Sequence, residues 1–295
     1  MSKRLKNLFC TILTYAAPSS NYHGESEENR TIIQKITKGD HEYAVVSPES
    51  MRSALRDILA SHKLPMNRTR LHDENQLAVE FKDYPNADEY ADDFLFGYLV
   101  IDIKEMKAQK RPAKRDSVLR MNMAVALSPY RFDATLHQSP LNAGKSPWKN
   151  ATKSSLLHRE VSHTAYQYPF ALNLNDCVSK PQWGQALLAA IGELSNVAGS
   201  HARSFFEMAP RSLIARLTPS LVAGFDTYGF DVGGSFSELR RIHKNDLPGS
   251  EFVVAGALAR ELPTEERGRL DAEGVRFFDN PQAALRQLGV DGLRA

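Results

Sequence analysis

Hydrophobic and polar positions alternate in short runs along the chain, and most of these runs predict β-strands rather than helices. The first, Leu8 to Ala17, reads as a buried strand, and Thr31–Ile36 and His41–Val46 read as two strands joined at Gly39. Further predicted strands cover residues 93–103, 118–127, 165–174, 212–218, 251–259 and 275–279.

Apolar residues at helical spacing predict a helix that starts at about Glu49, with Ser47 as its N-cap and Pro48 at its first position. The apolar face of this helix consists of Met51, Leu55, Ile58 and Leu59, whereas Arg52, Arg56 and Lys63 lie off that face. A second helix is predicted from Trp183 to Val197. A third is predicted between the strands at 251–259 and 275–279. A fourth follows near the end of the chain, with Asn280 as cap, Pro281 in the first turn and Gly289 closing it.

Four polar segments interrupt these elements. Residues 17–30 are predicted to be a loop, residues 71–93 an irregular or helical acidic insertion, and residues 104–117 a mobile basic loop. Residues 131–160 are turn-rich between strand-like flanks and predict a projecting hairpin. Strands outnumber helices, so the expected class is α+β with a partly antiparallel sheet, and the element order suits a ferredoxin-like split βαβ unit with large insertions.

The composition is that of a soluble globular protein: 295 residues, 42% hydrophobic, 24% charged. Two cysteines, Cys10 and Cys177, cannot build a disulfide framework and fit a reducing cytoplasm. The basic and apolar start imitates a signal peptide, but its strand-forming residues favour a core strand. No apolar run is long enough to cross a membrane.

The net charge of +2 hides an uneven distribution. Residues 73–93 contain eight acidic side chains and one basic, whereas residues 104–120 contain seven basic and two acidic. A basic stretch of this kind attracts an anionic ligand, although a charge run is often only a solvated face.

Familiar catalytic motifs are absent from the sequence. The segment AGKS at 143–146 lacks the first glycine of a phosphate-binding loop, and Pro147 would distort the following turn. His158 and His163 are five residues apart, which directs them to opposite faces of a strand. We therefore predict no metal site, no cofactor and no catalytic residue.

Three basic groups are candidates for binding a polyanion. The helix start offers Ser50, Arg52 and Ser53, with Arg56 one turn later. The KRPAKR segment at 110–115 and the GSHARS segment at 199–204 are the other two. Each group also has an interpretation without a ligand. The helix start is then a solvated helix flank, the 110–115 segment a solvated loop, and the 199–204 segment a helix C-cap with its turn.

Six segments of the sequence resemble, in the same order, segments of the DevR-type backbone subunit of type I CRISPR Cascade complexes. They are NRTIIQKI, YAVVSPESMRSALRDIL, DDFLFGYLV, KRPAKRDSVLRMNMAVAL, AYQYPFALNLND and LSNVAGSHARSFFEMAPRSLIARLT. The resemblance covers about Asn7 to Thr218 and is looser beyond it. It implies an RNA-recognition-like palm over residues 1–250, with fingers at about 64–115 and a hairpin thumb at about 131–160, and a C-terminal α/β extension over 251–295.

The resemblance also implies a function. Copies would assemble head to tail along one CRISPR RNA, in a cytoplasmic type I complex, I-B by this reading, with other Cascade subunits and target DNA as partners. The residues expected to contact RNA are Arg30, Lys35, Lys38, Ser50, Arg52, Ser53, Arg56, Lys114, Arg115, Arg120, His201 and Arg203.

Two other functions remain open at this point. Related backbone subunits of type III complexes cut RNA with a loop aspartate, but the corresponding loop here, SSNYHGESEENR, has glutamates and no aspartate. We therefore expect no nuclease activity, and a metal-dependent endoribonuclease on the same fold is the alternative. A protein-interaction scaffold without nucleic acid is the third possibility.

Overall fold

The computed structural model describes residues 7–20, 22–27, 30–72, 77–101, 103–138, 156–197 and 207–293. Its centre is a nine-stranded mixed sheet in which β1 lies between two long antiparallel neighbours. In hydrogen-bonding order the strands are β19 (Arg276–Phe278), β18 (Phe252–Gly256), β17 (Pro210–Thr218), β1 (Asn7–Thr14), β16 (Tyr166–Asn173), β12 (Ala124–Ala126), β6 (His41–Val46) and β5 (Lys35–Lys38), and β11 (Leu119–Met121) also pairs with β16.

Among the described residues, four smaller sheets accompany the central one. They pair β2 (Ala17–Ser19) with β15 (Ser162–Thr164), β7 (Arg68–His72) with β8 (Leu77–Phe81), and β9 (Tyr98–Leu99) with β10 (Lys114–Arg115), and they join β13 (Ala134–Gln138), β14 (Leu156–Glu160), β4 (Arg30–Ile33) and β3 (Tyr22–Glu27) in that order. The helices are α1 (Pro48–Ser61), α2 (Ala91–Phe96), α3 (Ile103–Ala108), α4 (Pro181–Gly192), α5 (Arg240–His243), α6 (Ala257–Glu261), α7 (Thr264–Ala272) and α8 (Pro281–Leu293).

Both faces of the central sheet are covered by apolar side chains. On β1, the alternating residues Leu8, Cys10 and Ile12 belong to one core, which α1, α4 and α8 complete. Leu13 belongs to the second core, formed with residues between Phe225 and Val275. Since a fully buried leucine or isoleucine contributes about 1.5–3 kcal/mol, this alternation makes β1 a main stabilising element of the fold. Within the described ranges, no helix combines the length and apolar character needed to cross a bilayer.

The start of α1 follows the predicted capping pattern. The Ser50 amide donates a hydrogen bond to Ser47 Oγ at 3.2 Å, and Pro48 occupies the first turn. Met51, Leu55 and Leu59 are fully buried, and Ile58 is half-buried against the same core.

Several sequence predictions are confirmed. The protein is of the α+β class, Leu8–Ala17 includes all of the core strand β1 except Asn7, and the two arms of the predicted 131–160 hairpin are the antiparallel strands β13 and β14. Asn280 caps α8, because the Ala283 amide donates to its Oδ1 at 3.0 Å. Residues 139–155 of the hairpin lie outside the described residues. The RNA-recognition-like description and the domain boundaries remain predictions.

Other predictions are wrong. The supposed loop 17–30 contains β2 and β3, and the supposed strand 93–103 begins inside α2 and becomes extended only at β9. The supposed mobile loop 104–117 contains most of α3, whose Met106 is fully buried, and the strand β10.

Smaller corrections concern element ends. The segment 71–93, expected to be irregular or helical, includes most of the β7–β8 hairpin. The predicted strands 31–36 and 118–127 are each divided into two. The helix predicted to reach Val197 ends at Gly192, and Gly289 is buried inside α8 instead of closing it.

Candidate nucleic-acid interface

A basic pocket of about 500 Å³ lies beside the first half of α1. We call it the arginine pocket, because four arginines from three elements, α1, β7 and β10, line it. The residues that line it are Glu49, Arg52, Ser53, Arg56, Arg68, Phe96, Gly97, Tyr98, Leu99, Lys114, Arg115, Asp116 and Ser117. Five basic side chains against two acidic ones make the pocket cationic.

Backbone and aromatic contacts hold the arginine side chains. Arg52 Nη2 donates to the Leu119 carbonyl at 3.2 Å, and Arg68 Nη2 donates to the Gly97 carbonyl at 2.9 Å. The guanidinium groups of Arg56 and Arg115 lie 4.7 and 4.9 Å from the ring centres of phenylalanines in α2. These contacts orient the arginines, and orientation reduces the entropy lost when a ligand is bound.

Hydrogen-bonding capacity is left over in the pocket. The Nε atoms of Arg52, Arg56, Arg68 and Arg115 are buried and have no hydrogen-bond partner. A buried N–H without an acceptor is unfavourable, and for a charged group the cost is larger. Arg56 Nε faces Asp92 Oδ2 at 3.9 Å, which is beyond hydrogen-bonding distance. The excess of cationic side chains around the cavity indicates an anionic ligand with several acceptor oxygens.

Electrostatics point in the same direction. Burial, together with the nearby Arg68, lowers the pKa of Arg56 to about 10, while Asp92 opposes the change. Burial also lowers the pKa of Arg52, and here Glu49 opposes the change. Both groups stay cationic at neutral pH, but their charges are incompletely compensated. An incoming anion would relieve this imbalance.

The α2 helix contributes Phe96 to the wall of the pocket. Its Asp92 is fully buried and accepts hydrogen bonds from the amides of Asn67 and Arg68, at 2.8 and 2.9 Å, which ties the β7–β8 hairpin to the pocket. Asp92 Oδ2 also lies 3.9 Å from Arg56 Nε. Asp93 accepts from the side chain of Asn67, and burial raises its pKa.

Gly97 ends α2 with φ of 68°, in the left-handed region that favours glycine. A Cβ atom at this position would overlap the carbonyl oxygen of Arg115. Glycine therefore permits the close approach of the chain to β10, and that approach brings Arg115 into the pocket.

Six of the predicted RNA-contacting residues lie in or beside the arginine pocket: Ser50, Arg52, Ser53, Arg56, Lys114 and Arg115. The amide of Ser50, however, is engaged by the helix cap and is not free for a phosphate. Arg68 was missed by the sequence analysis because it lies in a separate hairpin. The signal available in the sequence was the pair of arginines, Arg68 and Arg70, in an otherwise acidic region.

Two predicted residues lie at the base of the β13–β14 hairpin instead. Lys35 Nζ and Arg30 Nε lie 3.4 and 3.6 Å from the carboxylate of Glu160, which is 2% exposed. The Ile33 amide donates to the same carboxylate at 3.1 Å. Next to this cluster, burial and Glu160 raise the pKa of Tyr130 to about 12. This cluster anchors the hairpin to β4 and β5.

The remaining predicted residues are separate. Lys38 lines a largely apolar cavity of about 510 Å³ between β5, β6, β12 and residues 228–232. Arg120 is exposed on β11. His201 and Arg203 lie outside the described residues. Within the described residues, no group of three or more histidine, cysteine, aspartate or glutamate side chains is arranged to hold a metal ion.

No protein-family model matches the chain. The chain is 30% identical, over 294 residues and 95% of both sequences, to the CRISPR-associated protein Cas7/Cst2/DevR of Myxococcus xanthus (strain DK1622).

Two solved structures share the fold. A chain of a CRISPR RNA-guided surveillance complex in a pre-nicking state matches with a TM-score of 0.62 and 11% identity, over 97% of this chain and 100% of the other. A chain of a second CRISPR RNA-guided surveillance complex matches with a TM-score of 0.55 and 12% identity, over 97% and 99%. Since the curated relative covers nearly the whole length at this identity, the chain belongs to the Cas7/Cst2/DevR family of CRISPR-associated proteins.

Proposed function

We propose that this protein binds CRISPR RNA through the ribose-phosphate backbone, without sequence preference, and that copies of it line up along the guide. The assembly would be the repeated scaffold of a type I Cascade complex, of subtype I-B, that includes other Cascade subunits and surveys target DNA in the cytoplasm. In this assignment residues 64–115 act as fingers, 131–160 as a thumb, and 251–295 as a C-terminal extension of the palm.

The observation that carries the proposal is the arginine pocket. Its four guanidinium groups and Lys114 line a cavity of about 500 Å³, and such a cationic lining suits phosphate oxygens. A subunit that holds guides of any sequence must contact phosphate and sugar rather than base edges, because those contacts are the same at every nucleotide. Membership of the Cas7/Cst2/DevR family supports the same ligand.

Repetition would supply the affinity. One pocket gives a modest, salt-sensitive interaction, but copies that occupy one RNA side by side act as a multivalent binder. The proposal includes no catalytic role for the protein, so bound RNA should remain intact.

Titration with labelled single-stranded RNA tests the proposal. Two RNAs of equal length and unrelated sequence should bind with affinities within a factor of about three, and mass photometry should count more copies on a longer RNA. A strong preference for one sequence, or one copy on every RNA regardless of length, would contradict the proposal.

The same titration, run with and without Mg²⁺, tests the endoribonuclease alternative. The RNA should migrate unchanged on a denaturing gel in both cases. Cleavage that a chelator prevents and that a single carboxylate substitution removes would favour the ribonuclease. Failure of any RNA to bind would favour the protein-interaction scaffold.

A further inference from the structure

The cavity beside Lys38 has the size and the lining of a small-molecule site. It lies between β5, β6, β12 and residues 228–232, measures about 510 Å³, and we call it the apolar cavity. Sites for small molecules typically measure about 300–1,000 Å³. Among the described residues, none lines both this cavity and the arginine pocket, so the two sites are separate. The apolar side chains that line it include Ile36, Val125, Ala126, Leu127 and Phe230.

Hydrogen bonds within the protein hold the walls of the apolar cavity in place. The Phe230 amide donates to Gln167 Oε1 at 3.1 Å, and Gln167 Nε2 donates to the Phe230 carbonyl at 3.4 Å. The Tyr228 hydroxyl donates to the Met123 carbonyl at 2.8 Å, which joins the 228–232 segment to the turn before β12. Because the protein's own groups fix these walls, a ligand would lose little free energy in ordering them.

Two of the apolar residues that line the cavity are also exposed to solvent. Val232 is 72% exposed and Met123 is 40% exposed. Exposed apolar surface beside a concave apolar lining is unfavourable in water, and burial of that surface favours binding. A ligand with a hydrocarbon body would cover both side chains.

The polar groups of the lining differ in whether the protein already engages them. Asp231 Oδ1 accepts a hydrogen bond from the Ser235 amide at 2.9 Å, and Asn122 Oδ1 accepts from the Met123 amide at 2.8 Å. Lys38 is exposed, and within the described ranges its ammonium group has no ion pair and no hydrogen bond. The cavity therefore combines an apolar lining with an unpaired cation.

This combination selects the chemistry of the ligand. A hydrocarbon body matches the lining, and a single anionic group matches Lys38. A second negative charge would be repelled by Asp231, so a polyanion fits poorly. An uncharged hydrocarbon would leave the ammonium group of Lys38 without an anion.

We propose that the apolar cavity binds a small amphiphilic carboxylate, with its hydrocarbon part in the cavity and its carboxylate paired with Lys38. Fatty acids and aromatic carboxylic acids share this chemistry. The site goes beyond the proposed function, and it does not depend on RNA binding.

Displacement of a fluorescent dye tests the inference. Anilinonaphthalenesulfonate, which is apolar and carries one negative charge, should brighten on binding to the natural protein, and decanoate or naphthoate should displace it. The arm that displaces the dye at the lower concentration distinguishes a fatty acid from an aromatic acid. Because a hydrogen bond to a charged group adds affinity, decanoate should bind about tenfold more tightly than decanol, which has the same chain length.

The variant Lys38→Met should lose most of this preference for the carboxylate and keep its affinity for decanol. Lys107→Met is the matched control, because Lys107 is exposed on α3 and does not line the cavity. This control should keep the full preference. Val125→Phe, which narrows the cavity, should reduce the dye signal that the carboxylates displace, and a melting curve verifies that this variant is folded.

Four results would overturn the inference. The first is that neither carboxylate displaces the dye, and the second is that Lys38→Met keeps the full preference for decanoate over decanol. The third is that single-stranded RNA displaces the dye and the carboxylates do not, which would assign the cavity to an RNA interface. The fourth is that the dye signal per chain falls as the protein concentration rises and the carboxylates do not displace the dye, which would assign the cavity to a second copy of the protein.

Discussion

Replacement of Arg52 and Arg56 by alanine removes two of the four guanidinium groups of the arginine pocket, and we expect the RNA affinity of this variant to depend less on salt. Each phosphate neutralised on a single strand contributes about 0.7 to the slope of log affinity against log salt concentration, so the double variant should lose about 1.4 of the slope. Between about 50 and about 200 mM salt, the natural protein should then lose about seven times more affinity than the variant does.

The assay is fluorescence anisotropy of a labelled RNA at a series of salt concentrations, repeated with a second RNA of unrelated sequence. Because backbone contacts carry no sequence information, the loss in affinity should be the same for both RNAs. Thermal denaturation of the variant verifies that it is folded.

Arg260→Ala/Arg269→Ala is the matched control, with the same change in net charge. These arginines lie on α6 and α7, whose buried Leu258 and Leu270 belong to the second core, and the arginines do not line the pocket. The control should keep the slope of the natural protein. If the two double variants have equal slopes, the arginine pocket does not hold the RNA backbone and the reasoning is refuted.

Three other predictions concern stability and geometry. Gly97→Ala should lower both the melting temperature and the RNA affinity, because the new methyl group displaces β10. Gly39 has a similar positive φ but open space around it, so Gly39→Ala should lower only the stability, by about 1–2 kcal/mol. If the two variants changed RNA affinity and melting temperature to the same extent, this prediction would be contradicted. Glu160→Gln should reduce the free energy of unfolding by about 1–3 kcal/mol, because it removes the negative charge that faces Arg30 and Lys35. An unchanged urea midpoint would be evidence against the role of Glu160 as the anchor of the hairpin. Arg52→Met should weaken RNA binding but leave the melting temperature equal or higher, because it removes a positive charge that burial disfavours. A clear drop in melting temperature would show that the surrounding protein already compensates the charge of Arg52.

Neighbouring residues in the sequence were sufficient to predict where α1 begins, which side of it is buried, and the strand β1. Ser47, Pro48 and the spacing of Met51, Leu55 and Leu59 determine where α1 begins and which side it buries. The alternation in β1 and the turn at Gly39 are equally local, and Gly39 has the expected positive φ of 61°.

The segment around α2 shows where local reasoning fails. Every residue from Ala91 to Tyr98 is buried, so the apolar run has no polar face and its period cannot distinguish a helix from a strand. Within that run, Gly97 directly after Phe96 was a signal for a helix end, in agreement with its positive φ.

The arginine pocket could be predicted only in part, for a related reason. Arg52 and Arg56 are recognisable because cations are unusual in the first turns of a helix, where the backbone is already positive. Arg68 and Arg115 join them only through Asp92, Gly97 and the pairing of β9 with β10. Such contacts between distant segments leave no periodic pattern in a single sequence.

An electron cryomicroscopy map of the protein assembled on a CRISPR RNA tests the central claim most directly. The account predicts a row of identical copies along the guide, with a phosphate of the RNA within hydrogen-bonding distance, about 3 Å, of Arg56 and Arg115 in each copy. A map in which the RNA follows another surface, and the pocket is open to solvent or filled by protein, would contradict it.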